Sequence, residues 1–219
     1  VSLFLLRRES RLQGFNPDQV SDVAFWSLVA GIIGGRILYG ILNLGYFIDN
    51  PREIIMLHHG GLVWYGGLIF ALAAAVGYMK NRKMPILKTL DLLAPYIALG
   101  QAIGRLGCFF NGCCYGKPVS WGVYFPLYNS RLHPTQLYSF FNLLIIFVIL
   151  RWLQKRITTE GRIVTLYFLL ASLERFIVEF FRGDSPQDFF GMTVFQLMSL
   201  VIFIVALYAH LYLYRRQRK

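Results

Sequence analysis

The segment Gly104-Arg105-Leu106-Gly107-Cys108-Phe109-Phe110-Asn111-Gly112-Cys113-Cys114-Tyr115-Gly116 closes an apolar run that begins near Leu92, and it holds one arginine, one asparagine, four glycines and all three cysteines of the chain. A charge at membrane depth is costly unless it pairs or snorkels, so a site of this kind is functional by default. The glycines let backbone approach a neighbour closely or leave helical geometry. The segment reads as the lining of an enzyme active site. Its bland alternative is a tight helix-packing corner with the small cysteines as filler.

A second constellation is Glu174-Arg175-Phe176-Ile177-Val178-Glu179-Phe180-Phe181-Arg182. Arg175 and Glu179 are four apart, and Glu179 and Arg182 three apart, so the three share one helix face and can form an ion-pair ladder. An Arg-Glu-Arg stripe inside a membrane suits an anionic group, with the glutamate holding the guanidinium planes. The competing reading is structural glue between helices. Two further polar segments open apolar runs. His58-His59-Gly60-Gly61-Leu62-Val63-Trp64-Tyr65-Gly66-Gly67 is poorly helical by propensity, which a membrane protein tolerates only beside protein or a wet cavity. There Tyr65 is either a hydrogen-bond donor in the cavity or an interfacial anchor, and His58 and His59 read as solvated or headgroup-facing. His133-Pro134-Thr135-Gln136-Leu137-Tyr138 starts a helix with proline in its first turn.

The cysteine spacing is C-x4-C-C, and adjacent Cys113 and Cys114 cannot easily share one tetrahedral zinc, so no metal is expected. Cys108, Cys113 and Cys114 instead suggest thiol exchange, or a nucleophile with His133 as base. Arg36 has two readings, a functional one and a structural pairing with Asp91.

These groups need a membrane scaffold. Of 219 residues 56% are hydrophobic and only 15% charged, and mean hydropathy is +0.51; a soluble domain sits near 25% charged. Full spans are expected at about 23–48, 62–79, 89–110, 133–153, 163–182 and 193–214, with residues 1–6 as the end of a truncated first helix. The runs are too long and uniformly apolar for strands, so the fold class is all-α, a polytopic helix bundle. Gly31 and Gly35 form a small-xxx-small packing face, and Asn16-Pro17 marks a helix start after a polar connection. Loops carrying Arg7, Arg8 and Arg11, then Lys80, Arg82, Lys83 and Lys88, then Arg151, Lys155, Arg156 and Arg162, then Arg215, Arg216, Arg218 and Lys219 alternate with loops that hold Arg52, Lys117, Arg131 and Arg182 alone. The basic set is cytoplasmic, which puts 49–57, 111–132 and 183–192 outside. The net charge of +11 is thereby explained by an anionic inner leaflet and not by nucleic acid.

Together the Gly-Arg block at 104–116, the paired Gly-Gly block at 60–67, His-Pro-Thr-Gln-Leu-Tyr at 133–138 and Arg-Phe-Ile-Val-Glu-Phe-Phe-Arg at 175–182 resemble the bacterial prolipoprotein diacylglyceryl transferases over nearly the whole chain. The resemblance implies one integral inner-membrane transferase domain over 1–219, with seven helices in the intact family and no metal or organic cofactor. It implies transfer of the diacylglyceryl group of phosphatidylglycerol to the lipobox cysteine of a preprolipoprotein, recognised with its signal peptide, with release of glycerol phosphate. The family's arginine matches Arg105, its asparagine and last glycine match Asn111 and Gly116, its later arginines match Arg175 and Arg182 around Glu179, and its His-Pro block matches His133 and Tyr138. Gly66 and Gly67 complete the substrate-binding set. The sequence departs from the pattern at three positions. Tyr65 stands where the family has an essential histidine, Cys108 replaces the signature's first asparagine, and Cys113 replaces its acidic residue.

The expected mechanism has Arg105, Arg175 and Arg182 neutralising the phosphate of an anionic phospholipid while membrane lipid chains lie against apolar helix faces. The acceptor thiol displaces phosphate, and Tyr65 or His133 moves the proton. Two alternatives stay open: a related phospholipid-dependent transferase that uses its own cysteine cluster with another acceptor, and a lipid-binding paralogue without catalysis.

Overall fold

Helices account for most of the chain, in the order α1 (Ser2–Leu12), α2 (Pro17–Leu42), α3 (Leu44–Asp49), α4 (Trp64–Asn81), α5 (Ile86–Phe110), α6 (Thr135–Gln154), α7 (Arg162–Glu179) and α8 (Val194–Gln217). Strands β1 (Pro118–Phe125) and β2 (Ser130–Leu132) lie between α5 and α6. The computed structural model describes residues 1–54, 56, 61, 63–184 and 191–217; the side chains at 49, 51, 54, 64, 65 and 217 lie outside that description, as do His58 and His59. Four helical segments, Pro17–Leu42, Ile86–Phe110, Thr135–Gln154 and Val194–Arg216, are long and apolar enough to cross a membrane, which makes this a mostly helical membrane protein. The other two expected spans, α4 and α7, are helices of 18 residues each. They fall outside that set of four: α4 ends in Lys80 and Asn81, and α7 carries Arg162, Glu174, Arg175 and Glu179.

The chain divides into two compact units, Leu3–Thr89 and Val1–Ser2 with Leu90–Lys219. In the first unit, α2 starts where the sequence places it: the Asn16 side chain accepts from the Asp18 N–H, and Pro17 occupies the first turn, where its missing N–H costs nothing. The expected run to residue 48 breaks at Asn43, whose N–H caps the carbonyls of Tyr39 and Gly40. The helices α2 and α4 meet through glycines. A Cβ on Gly66 would lie 2.7 Å from the Leu38 Cβ and would collide with the Gly34 carbonyl, while one on Gly31 would come 3.3 Å from the Gly67 carbonyl. The close face is thus Gly31/Gly34 against Gly66/Gly67, while the Gly35 carbonyl accepts from the Val63 N–H at 3.0 Å. Tyr78 ties the same pair by donating to Asp22 at 2.7 Å.

Arg36 is held within the first unit. It is buried, donates to the backbone carbonyls of Gly61 (3.0 Å), Met56 (3.2 Å) and Glu53, and faces the rings of Tyr39 and Phe47, each centroid 5.5 Å away.

In the second unit the core is a stripe of Ala94, Ala98 and Ala102 on α5, packed with Leu143, Ile146 and Leu150 of α6 and Ile163, Val164 and Tyr167 of α7. Alanine every fourth residue lets helices approach closely where lipid provides no hydrophobic drive between them. Asp91 serves this unit: its carboxylate accepts from the Gly161 N–H at 2.6 Å and the Val164 N–H at 2.8 Å. It caps α7 from a neighbouring helix, satisfying donors that α7 leaves open at its own start.

The connection 111–132, expected as a loop, contains an antiparallel pair of strands, with Tyr124 opposite Arg131 and Phe125 opposite Ser130. A turn at Pro126–Tyr128 and left-handed Asn129 (φ 46°) reverse the chain.

Candidate active site

The polar cluster of the second unit is built from three chain passages. The first is the end of α5. Gly112 takes φ +70°, a left-handed conformation that suits glycine after a helix. The Gly112 N–H then donates to the Phe109 carbonyl at 3.1 Å, and the Cys113 N–H returns to the Cys108 carbonyl at 3.1 Å. This paired reversal is the Schellman arrangement, and it folds Cys113 back over Cys108. Cys114 is itself left-handed at φ +60°. The three sulfurs lie within 4.8 Å of one another, and all three cysteines are half-buried. The start of α6 fastens this turn: the Thr135 hydroxyl donates to the Cys114 carbonyl at 2.6 Å, and the Gln136 amide donates to the Cys113 carbonyl at 2.7 Å.

The second passage is the crossing at Gly116. Its N–H donates to the His133 carbonyl at 2.9 Å, while the Lys117 N–H donates to the Phe181 carbonyl at 2.8 Å and the His133 N–H to the Lys117 carbonyl at 3.0 Å. A Cβ on Gly116 would lie 2.6 Å from the Phe181 oxygen and 2.8 Å from the His133 oxygen. The crossing therefore admits only glycine, and it locks the α5 turn, the start of α6 and the end of α7 together. His133 is held among the rings of Trp121, Phe181 and Tyr138, and its Nδ1 sits 3.1 Å from the Tyr138 hydroxyl.

The third passage is the charged end of α7. The expected ladder is present: Arg175 Nη2 lies 2.9 Å and Arg182 Nε 3.7 Å from Oε2 of Glu179. The arrangement is Coulombic, because that oxygen accepts no well-aligned hydrogen bond among the described residues. The other Glu179 oxygen accepts from the Thr193 hydroxyl at 3.1 Å. The helix ends at Glu179, so Arg182 joins the ladder from the following turn, and its main partner is Asp184. The two form a fork of 2.9 and 2.7 Å, the bidentate geometry that guanidinium and carboxylate favour. Arg175 also lies over the Phe195 ring, 4.8 Å from its centroid.

Arg105 is half-buried on α5. Its charge acts on Glu174, Arg175 and Cys108, yet no hydrogen bond or ion pair closes on it among the described residues. Glu174 is buried beside it, hydrogen-bonded with Ser139. Asn111 is exposed at the end of α5, and Tyr138 is half-buried. Arg105, Asn111, Gly116, His133, Tyr138, Arg175, Glu179 and Arg182 thus all belong to one unit, with the three cysteines. Tyr65, Gly66 and Gly67 belong to the other, in the first turn of α4.

Several residues of the cluster were given no role by the sequence reading. Glu174 stands beside Arg175 but turns about 100° away from the ladder face, so heptad-style spacing passes over it. Asp184 lies two residues beyond Arg182, outside any helical pattern. Thr193 and Gln196 carried a visible signal, the T-x-x-Q capping box: the Thr193 N–H donates to the Gln196 side chain at 2.9 Å and the Gln196 N–H to the Thr193 hydroxyl at 3.2 Å.

A family model for prolipoprotein diacylglyceryl transferase matches residues 1–212. The phosphatidylglycerol–prolipoprotein diacylglyceryl transferase of Clostridium tetani is 36% identical over 216 residues, covering 95% of this chain and 86% of that protein. Proteins of the same name from Idiomarina loihiensis (32% identical, 92% of this chain and 79% of theirs) and Finegoldia magna (35%, 89% and 79%) are similar along the same stretch. With that coverage, and with the Gly-Arg, His-Pro and Arg-Glu-Arg blocks gathered in one unit, the chain belongs to the prolipoprotein diacylglyceryl transferase family.

Proposed function

We propose that this protein transfers the diacylglyceryl group of phosphatidylglycerol to the cysteine thiol of a prolipoprotein, the activity named for its relatives. The observation that carries the site assignment is Arg105, a half-buried guanidinium with no partner among the described residues, acting on the same charges as the Arg175 ladder. An arginine left open in an apolar setting is a receptor for an anion. Arg105 and Arg175 hold the phosphate, and Glu179 and Thr193 fix the Arg175 plane. As the acceptor sulfur bonds to the glyceryl carbon, the carbon–oxygen bond to phosphate breaks and glycerol phosphate leaves. The guanidinium groups stabilise the charge that gathers on that oxygen. His133, whose Nδ1 lies 3.1 Å from the Tyr138 hydroxyl, takes the thiol proton; the tautomer in which Nδ1–H donates to that oxygen leaves Nε2 as the basic nitrogen. Asn111 and Gly116 shape the turn at which the headgroup sits.

The same reading has α4 and α7 also crossing the bacterial cytoplasmic membrane, with the basic loops and C-terminus inside, supported by the alternation of basic loops along the chain. A transfer assay from phosphatidylglycerol to a lipobox peptide tests the site. Turnover is expected to collapse in Arg105→Gln and in Arg175→Gln in protein that remains folded. Full turnover in both variants would refute the assignment.

A further inference from the structure

The cysteine cluster is not used by the reaction as derived above, and its construction exceeds what the fold needs. A Schellman turn is commonly accompanied by one apolar contact between its third-from-last helical residue and the second residue beyond; Cys108 and Cys113 already supply it, with Cys113 Sγ directed at the Cys108 carbonyl 3.7 Å away. Cys114, which carries the third sulfur, adopts φ +60°, a conformation that residues with a side chain rarely take. Strain of this kind, held by the Thr135 and Gln136 hydrogen bonds to the Cys114 and Cys113 carbonyls, points to function. From these observations we propose that Cys108, Cys113 and Cys114 form a trithiolate site for a thiophilic cation of the Zn(II) class.

The dimensions suit it. Three atoms no more than 4.8 Å apart share a point within about 2.8 Å of all of them, since that limit divided by the square root of three sets the largest such radius. Zn–S bonds of about 2.3 Å then need each sulfur to move inward by roughly half an ångström, a side-chain rotation. Soft thiolates select cations of this kind over Mg(II) or Ca(II). Binding releases the thiol protons. The sulfurs are half-buried, so an ion can enter. Three protein ligands leave a fourth tetrahedral position for water or an incoming thiol. The bound ion cross-links the end of α5 to the turn that leads to Gly116.

The full chain, reduced and held in detergent micelles without oxygen, is titrated with Co(II) as a spectroscopic probe. A thiolate-to-cobalt charge-transfer band saturating at one ion per chain, and displaced by Zn(II), is the expected result. Each of Cys108→Ser, Cys113→Ser and Cys114→Ser should weaken Co(II) binding at least roughly tenfold. Because a variant can fail to fold, the unaltered chain is also alkylated with and without Zn(II), and mass spectrometry of the peptides should show all three thiols protected together. No band with three free thiols present, a band that survives the triple serine variant, protection of fewer than three thiols, or a disulfide that persists under reductant would each overturn the site. None of these readouts involves lipid or turnover, so the outcome is separable from that of the transfer assay.

Discussion

Arg36 on α2 is buried and donates to three backbone carbonyls between two aromatic rings, whereas Arg105 on α5 is half-buried with no hydrogen bond or ion pair closing on it among the described residues. Both are arginines inside apolar helices, and composition or hydropathy cannot tell them apart. The difference lies in what surrounds them. Glu53, Met56 and Gly61 bring carbonyls to Arg36, which offsets the cost of burying its charge. Arg105 has acidic and basic neighbours that shape a field without consuming its donors. An arginine tied to several backbone carbonyls is scaffold; one on which no hydrogen bond or ion pair closes awaits a ligand.

The contrast can be broken by exchange of phenotypes. Arg105→Gln should lower transfer by roughly 10²–10³-fold, the usual cost of removing one charge-stabilising group, at unchanged folded yield. Arg36→Gln should do the reverse: about 1–3 kcal/mol is lost for each buried carbonyl left unpaired, so thermal stability and yield fall while activity per folded molecule holds. Thermal unfolding and transfer rates measured on the same preparations decide it, and an inactive but stable Arg36→Gln would end the distinction.

Glycines sharpen the same comparison. Gly116→Ala forces a methyl against the Phe181 and His133 carbonyls, and overpacking of this kind costs about 1–3 kcal/mol. It also displaces His133, so activity should fall along with the melting temperature. Gly40→Ala in α2, where a Cβ meets nothing within 4 Å, should be neutral or stabilising by up to about 1 kcal/mol. The smallest effect is expected from Thr193→Val, which removes the α8 cap and the donor to Glu179. About 1 kcal/mol of stability should go, with a modest loss of transfer as the Arg175 plane loosens; a melting curve and a rate from one sample give both.

Much of this was legible in the sequence because it is local. Asn16-Pro17 starts a helix by side-chain capping, and the Arg175–Glu179–Arg182 ladder follows from spacing on one face. Membership of one unit by Arg105, His133 and Arg175 was legible only through their resemblance to known blocks. Other features depend on distant chain or on unusual dihedrals. Asp91 caps a helix start 70 residues later, which no window around Asp91 contains, and that is why it was a plausible counterion for Arg36. The strands of 118–132 are short and pair only with each other, so their alternation is too brief to stand out from a polar loop. The convergence of the sulfurs turns on the left-handed backbone of Cys114, a conformation that residue type argues against.

The most direct test of an open arginine as the lipid receptor is equilibrium binding. Phosphatidylglycerol and phosphatidylcholine of matched acyl chains are compared on the folded wild-type chain and on Arg105→Gln, with no acceptor peptide present. The wild type should prefer phosphatidylglycerol, and the variant should lose that preference while still binding acyl chains. A variant that retains the full preference for phosphatidylglycerol would contradict the role assigned to Arg105.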